Sequence, residues 1–318
     1  MSEAEQFLAA ACEAVRRSGD DALDALGWWE LLSELDDPDA RTAIFTLFRA
    51  QGRELASTAA LGGLLASPYL DPRGGAVAKV ISRQSPRRGT VAVVVGTLPT
   101  EQLLVDLPGG GAALVDVAHA VVRAIDIPGR LALHEVDIDL AALTPSIRSV
   151  DAERARARST TLGRLAMSFE MIGAAEAVLD LAVDYAGARL QFGRPIGSFQ
   201  AVRHLLAWAR AECAAASDAA ELAVRLGRAA PDEFDGIVKA LAGRNARRVC
   251  EQTLQCFGGI GFTAEHDHHH FHSRVLALDA LLSSSAELTL QLGRRWRREG
   301  ADLRILATLL VPDRALTT

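Results

Sequence analysis

The chain has 318 residues, with 34 basic against 40 acidic side chains and a formal net charge of −6. An apolar share of 49% with 23% charged residues specifies a folded chain with a sizeable core and excludes a disordered one. The acidic balance and an aromatic share of 5% exclude an aromatic nucleic-acid platform and a general polyanion binder.

Residues 4–66 read as helices. Phe7, Leu8, Ala11 and Val15 recur at helical spacing, and Leu26, Trp28, Leu31, Leu32 and Leu35 carry an apolar stripe to Pro38. Trp28 and Trp29 lie on that stripe and read as core. Ile44, Phe45, Leu47 and Phe48 form a further apolar face, and Leu61, Leu64 and Leu65 another before Pro68. The turn-forming run Pro68-Tyr-Leu-Asp-Pro-Arg-Gly-Gly then marks a boundary near residue 70.

From Val77 to Leu143 short β-rich runs follow, at 90–95, 103–107, 112–117 and 131–136, separated by glycine and proline. They predict a small antiparallel sheet or barrel. The triple glycine at 109–111 sits between two of these runs with no helix opening after it, so it reads as a hairpin turn rather than a phosphate cradle. Asp151–Arg158 reads as a solvated linker and helix start. Beyond it the helical period predicts four long helices, ending near Gly187 and then spanning about 199–227, 232–257 and 273–296. Short breaks between long helices imply an antiparallel bundle. The expected domains are a helical one over 1–70, a reduced β domain over 71–148 and a bundle over 149–318.

The four cysteines, Cys12, Cys213, Cys250 and Cys256, are scattered with no CxxC pair, which points to a reduced, cytoplasmic protein. The start Met1-Ser-Glu-Ala-Glu lacks the basic and apolar parts of a secretory leader, and the longest apolar run, Val91 to Gly96, is far below the length of a membrane span. The five histidines between His266 and His272 lack the cysteine or carboxylate pattern that completes a tetrahedral metal set, so packing or subunit contact is the expectation. Arg294, Arg295, Arg297 and Arg298 read as a basic helix end satisfying its own carbonyls, with the phosphates of coenzyme A as the alternative.

Two glycine-bearing segments interrupt the bundle. Arg189-Leu-Gln-Phe-Gly-Arg-Pro-Ile-Gly-Ser-Phe-Gln200 lies between the first and second long helices, and Gln255-Cys-Phe-Gly-Gly-Ile-Gly-Phe-Thr263 between the third and fourth. A helix-capping glycine explains neither the arginine, glutamines and phenylalanine of the first nor Gln255 in the second.

The first segment resembles the loop with which the acyl-CoA dehydrogenase family grips the pyrophosphate of FAD, and the second resembles its partner loop. Glu265-His-Asp-His-His-His-Phe-His-Ser-Arg274 is similar to a stretch of the branch acting on bulky acyl-CoAs. The resemblance implies a mainly α fold with a small β domain: N-terminal helices, a reduced middle β domain and a C-terminal antiparallel four-helix bundle. It implies FAD contacts from Arg189, Gln191, Phe192, Gln200, Gln255, Gly258 and Gly259. Arginine suits a doubly charged pyrophosphate, and glycine lets backbone N–H groups approach it.

The middle segment departs from the family, with none of the motifs that embrace the isoalloxazine ring and no tryptophan between Ser67 and Leu143. The family's glutamate base falls at Ser283 or, in its alternative place, at Gly163; neither is a carboxylate. Glu287, about one helical turn beyond Ser283, is the remaining candidate base, with helix capping as its expected role. The resemblance thus implies a subunit of an α2β2 assembly. A full-length acyl-CoA dehydrogenase partner would supply the β domain and base, and this chain would lend its loops to the partner's FAD. The implied reaction is α,β-dehydrogenation of an acyl-CoA, possibly steroid-derived, with electrons passing to an electron-transfer flavoprotein and no nucleic-acid or membrane partner. A self-sufficient homomeric flavoenzyme and a non-catalytic acyl-CoA-binding scaffold are the alternatives.

Overall fold

The computed structural model describes residues 3–74, 77–85, 89–98 and 101–299. Five helices come first: α1 (Glu3–Ser18), α2 (Asp21–Ala25), α3 (Trp28–Ser33), α4 (Pro38–Glu54) and α5 (Ala60–Ala66). The stripe that runs through Leu26 to Leu35 is divided between α2 and α3, because Gly27 takes a left-handed conformation (φ 63°) between them. Asp37 caps α4, its carboxylate accepting from the N–H groups of Asp39 and Ala40 at 2.9 Å each. Trp28 is buried edge-on against Phe48, with centroids 5.9 Å apart. Trp29 is half-buried and donates from its indole to Asp24.

Seven strands follow: β1 (Val77–Lys79), β2 (Ile81–Ser85), β3 (Gly89–Val95), β4 (Gln102–Asp106), β5 (Ala112–Asp116), β6 (Val121–Ala124) and β7 (Leu133–Asp137). They form two sheets, ordered β1-β4-β5 and β2-β3-β7-β6. The triple glycine lies in the hairpin between β4 and β5, as expected. One pair departs from the antiparallel expectation: β1 runs parallel to β4, Val77 facing Gln102. Only Val80 separates β1 from β2, so a single extended run serves one sheet with its first half and the other with its second. Ala78, Val80, Val94, Leu103, Val105, Val115 and Val136 fill the space between the sheets.

The bundle opens with α6 (Ser149–Ala188), a helix of 40 residues. The stretch 151–158, expected as a solvated linker and helix start, is the start of this helix but not a linker, since Ala152 and Ala155, one turn apart, are buried. A short hairpin, β8 (Leu190–Gln191) and β9 (Arg194–Pro195), leads to α7 (Gln200–Leu226), and α8 (Phe234–Phe257) follows. The predicted fourth long helix is two helices, α9 (His268–Asp279) and α10 (Ser285–Glu299). Leu282 (φ 49°) and Ser283 (φ 74°) break it in left-handed conformations. The break is held by Asp279, whose carboxylate accepts from the backbone N–H and the hydroxyl of Ser285, both at 3.0 Å. Phe45 of α4 stacks on Phe169 of α6, and Arg49 and Arg53 of α4 both pair with Glu176, so helical layer and bundle share one core.

All four cysteines are buried free thiols. Among the described residues no helix is long and apolar enough to cross a membrane.

Candidate functional site

The two glycine-bearing loops lie at the same end of the bundle. They leave the C-terminal ends of α6 and α8, which meet where Tyr185 packs edge-on against Phe257 (5.4 Å) and the Cys256 thiol faces the Ala182 carbonyl. Arg189 caps α6, its N–H donating to the Tyr185 carbonyl at 2.8 Å while its own carbonyl accepts from Ile196. The hairpin turns on Phe192 and Gly193, both at positive φ (53° and 80°). This left-handed pair suits tight two-residue hairpins but is strained for phenylalanine. Phe192 is thereby thrust outward, 92% exposed, touching only the edge of Phe199. Gln200 opens α7 on the exposed side of the same loop, and Gln255 lies exposed on the last turn of α8.

The second loop is a 3-10 turn over Gly258–Phe262, with Gly258 at φ 64°. A Cβ on Gly258 or Gly259 would meet nothing within 4 Å, so the backbone there is bare on this chain. Ile260 (42%) and Phe262 (78%) are exposed beside it. Arg189, Gln191, Gln200 and Gln255 are all exposed, and their side chains have no partner among the described residues. Cation, amide donors, open backbone and aromatic faces thus converge on one surface with their hydrogen-bonding capacity unspent. That donor set fits the pyrophosphate and adenosine of FAD.

The two base positions come together at a different place. Gly163 of α6 is buried, and a Cβ on it would lie 2.5 Å from Leu282 and 2.6 Å from Leu65. A side chain there would have to displace the ends of both leucines. Leu282 belongs to the break that also holds Ser283. Arg164 donates to the Leu282 carbonyl (3.2 Å), and Lys239 donates to the carbonyls of Asp279 (3.1 Å) and Ser283 (3.3 Å). Glu287 accepts from the Ser284 N–H at 2.8 Å while its own N–H donates to the Ser284 hydroxyl at 3.3 Å. This reciprocal pair is a capping box at the start of α10.

Beside Leu65 and Leu282 lies a cavity of about 480 Å³ between α6 and the sheets. Its polar wall is an ion cluster. Asp106 accepts from Lys79 (2.5 Å) and Tyr69 (2.7 Å), with Arg156 at 3.3 Å. Burial holds the Lys79 ammonium below its usual range even though Asp106 opposes the shift. Burial likewise pushes Lys239 down to about 8. Lys79 and Lys239 are the only lysines in the chain, and both are buried, Lys79 in the wall of this cleft and Lys239 on the carbonyls of the neighbouring break. Composition singles them out, but no motif assigns them a role.

The histidines are occupied within the chain. His268 is buried, and its Nε2–H must donate to the Cys250 carbonyl (2.7 Å), since a carbonyl only accepts. The His266 ring lies against Phe257, His269 meets the His266 carbonyl, and His270 meets the Pro128 carbonyl. Among the described residues no three potential ligands converge on a metal position. Burial pulls the imidazoles of His266, His268 and His272 below their ordinary value near 6.5. A depressed histidine favours its neutral form when folded, so its contribution is complete above that value and lost as pH falls. The melting temperature is therefore expected to hold steady above about pH 6.5 and to decline below it. His268→Gln should flatten that decline, as differential scanning fluorimetry across pH would register; an unchanged slope contradicts the assignment.

Residues 154–294 match the family model described as the acyl-CoA dehydrogenase C-terminal domain. FadE34, an acyl-CoA dehydrogenase of Mycobacterium tuberculosis, is 36% identical over 296 residues, a span covering 86% of this chain and 38% of FadE34. The chain thus matches under two fifths of that relative's length. Among solved structures, the ChsE4-ChsE5 complex of Mycobacterium tuberculosis superposes with a TM-score of 0.72 at 17% identity, covering 93% of this chain and 98% of that one. A Tcur3481-Tcur3483 steroid ACAD variant gives 0.71 at 18%, covering 94% and 99%. At these identities the structural matches establish the fold.

Proposed function

We propose that this chain, whose residues 154–294 match the acyl-CoA dehydrogenase C-terminal domain, is the dinucleotide-gripping subunit of a heteromeric acyl-CoA dehydrogenase, and that its partner provides the base. Arg189, Gln191, Phe192 and Gln200, with the backbone at Gly258 and Gly259, would hold the pyrophosphate and adenosine of FAD bound mainly by the partner. When bound, that FAD supplies the hydride acceptor for α,β-dehydrogenation of an acyl-CoA. The contrast within one bundle carries this assignment: bare, unpartnered loops at its end, and base positions that are a leucine-packed glycine and a backbone-locked serine.

In this assignment Arg189 orients the dinucleotide through a charge-assisted fork, and the glutamines select its ribose and adenine edges. The exposed Phe192 and Phe262 would be covered by the partner, which would also exclude water from the shared pocket. Neither Glu287, committed to its cap, nor the Ser283 hydroxyl removes the substrate α-proton. An α2β2 arrangement, steroid-derived acyl-CoAs as substrates and transfer to an electron-transfer flavoprotein are the accompanying proposals. The first two draw support from the solved neighbours, the ChsE4-ChsE5 complex and the Tcur3481-Tcur3483 steroid ACAD.

Bleaching of the co-purified complex by an acyl-CoA tests where the base resides. Glu287→Ala is expected to leave the bleaching rate within about threefold, since the loss of a capping contact costs roughly 1 kcal/mol of stability and no chemistry. A collapse of the rate with flavin still bound would place the base on this chain and favour a self-sufficient enzyme.

A further inference from the structure

On the far side of α6 from the Leu65–Leu282 cleft, a cavity of about 320 Å³ opens between α4, α6 and the loop joining α7 to α8. Three guanidinium groups converge on it from three elements: Arg41 of α4, Arg158 of α6 and Arg228 of the α7–α8 loop. Two are fixed by the chain itself. Arg41 is buried and donates only to carbonyls, those of Val224 (3.0 Å), Leu35 (3.3 Å) and Asp36 (2.6 Å). Arg228 makes a forked contact with the Asp36 carboxylate, at 2.6 and 3.0 Å.

Arg158 differs. Its side chain is only 23% exposed, its nearest carboxylate is Asp36 at 4.0 Å, and it makes no hydrogen bond among the described residues. Burial and the neighbouring Arg228 and Arg41 charges hold it below the usual arginine range, against the pull of Asp36. Its donors are thus free of the chain and open to an incoming acceptor from the cavity side. Gly227 keeps the space: at φ 54° it lies so close that a Cβ would come within 2.8 Å of the Arg41 guanidinium.

Asp235 and Glu233 also line the cavity and are paired from outside it, Asp235 with Arg164 (3.0 Å) and Glu233 with Arg295 (2.5 Å), an arginine that Glu299 shares (2.8 Å). Asp36 alone answers the three arginines at close range, and Asp232 sits exposed on the rim, where solvent screens it. The floor is apolar, with Phe45 and Leu165, and Thr161 offers a hydroxyl beside them. The geometry points to a binding site for a phosphate-bearing small molecule, its phosphoryl oxygens taken by Arg158 and by the Nη1 of Arg228, which the Asp36 fork leaves free, and its apolar body resting on Phe45 and Leu165. Planar guanidinium groups suit phosphoryl oxygens. The site makes no use of flavin, base or loops, so it stands whether or not the proposed function holds.

Titration of the whole chain, followed by calorimetry, with phenyl phosphate, inorganic phosphate, benzoate and chloride tests it. Phenyl phosphate is expected to bind at least about tenfold more tightly than benzoate, the difference a fork to a dianion gives. Inorganic phosphate should compete for the same site. Arg158→Gln should weaken phenyl phosphate at least about tenfold. Arg228→Gln, an exposed change safe for folding, should weaken it in the same direction, and Arg294→Gln on α10 should leave it unchanged. The proposal is overturned by an absence of binding, by equal affinity for phenyl phosphate and benzoate, or by Arg228→Gln and Arg294→Gln acting alike.

Discussion

Arg189→Ala is expected to strip FAD from the proposed heteromer, lowering its affinity about tenfold to a hundredfold. The guanidinium is exposed, has no partner on its own chain and stands on a helix end anchored by the Tyr185 carbonyl. Its removal therefore costs the fold almost nothing, while a charge-assisted fork to pyrophosphate is worth about 1.5–3 kcal/mol. Arg189→Lys keeps the charge but loses the planar fork, so it should fall between wild type and alanine. Flavin per complex after gel filtration is the measurement. Full occupancy in Arg189→Ala would remove this loop from the site.

Arg274→Met should be the most damaging single change to stability. Arg274 is completely buried and pairs with Glu170 at 2.6 Å, itself 2% exposed. It also donates to the carbonyls of Ala56, Gly129 and Arg130. One side chain of α9 thus ties together α6, the link between α4 and α5, and the loop entering β7. Removing it leaves a buried carboxylate and three carbonyls unanswered, at a cost of about 3–5 kcal/mol. Against a total stability of about 5–15 kcal/mol, that is a loss of roughly ten degrees or more in melting temperature. Converting both partners, Glu170→Leu with Arg274→Met, should recover much of it, because no unpaired charge then remains. A single variant melting with wild type would show the pair to be dispensable.

The two loops were readable in the sequence because their glycines, glutamines and phenylalanine break an otherwise regular helical period. The bundle was readable because that period buries one face of each helix. Two features escaped the periodic patterns. The break between α9 and α10 is held by Asp279 together with Lys239 and Arg164, which reach it from α8 and α6 and bind backbone carbonyls. Its one local sign, the Ser284-x-x-Glu287 capping box, lies inside a run whose apolar spacing carries on through it. The parallel pairing of β1 with β4 arises from a strand that changes sheets at Val80, which alternation of apolar residues does not encode. The same limit applies to the base positions. That Gly163 and Ser283 are not carboxylates is plain from the sequence, but that Leu65 and Leu282 pack against Gly163 is a matter of tertiary contact.

The claim that this chain contributes one part of a shared flavin pocket is tested most directly by the visible flavin spectrum of the chain purified alone and co-purified with a full-length acyl-CoA dehydrogenase from the same cell. The account predicts a colourless chain alone and a yellow complex. A yellow preparation of the single chain, bleached by an acyl-CoA without any partner, would contradict it.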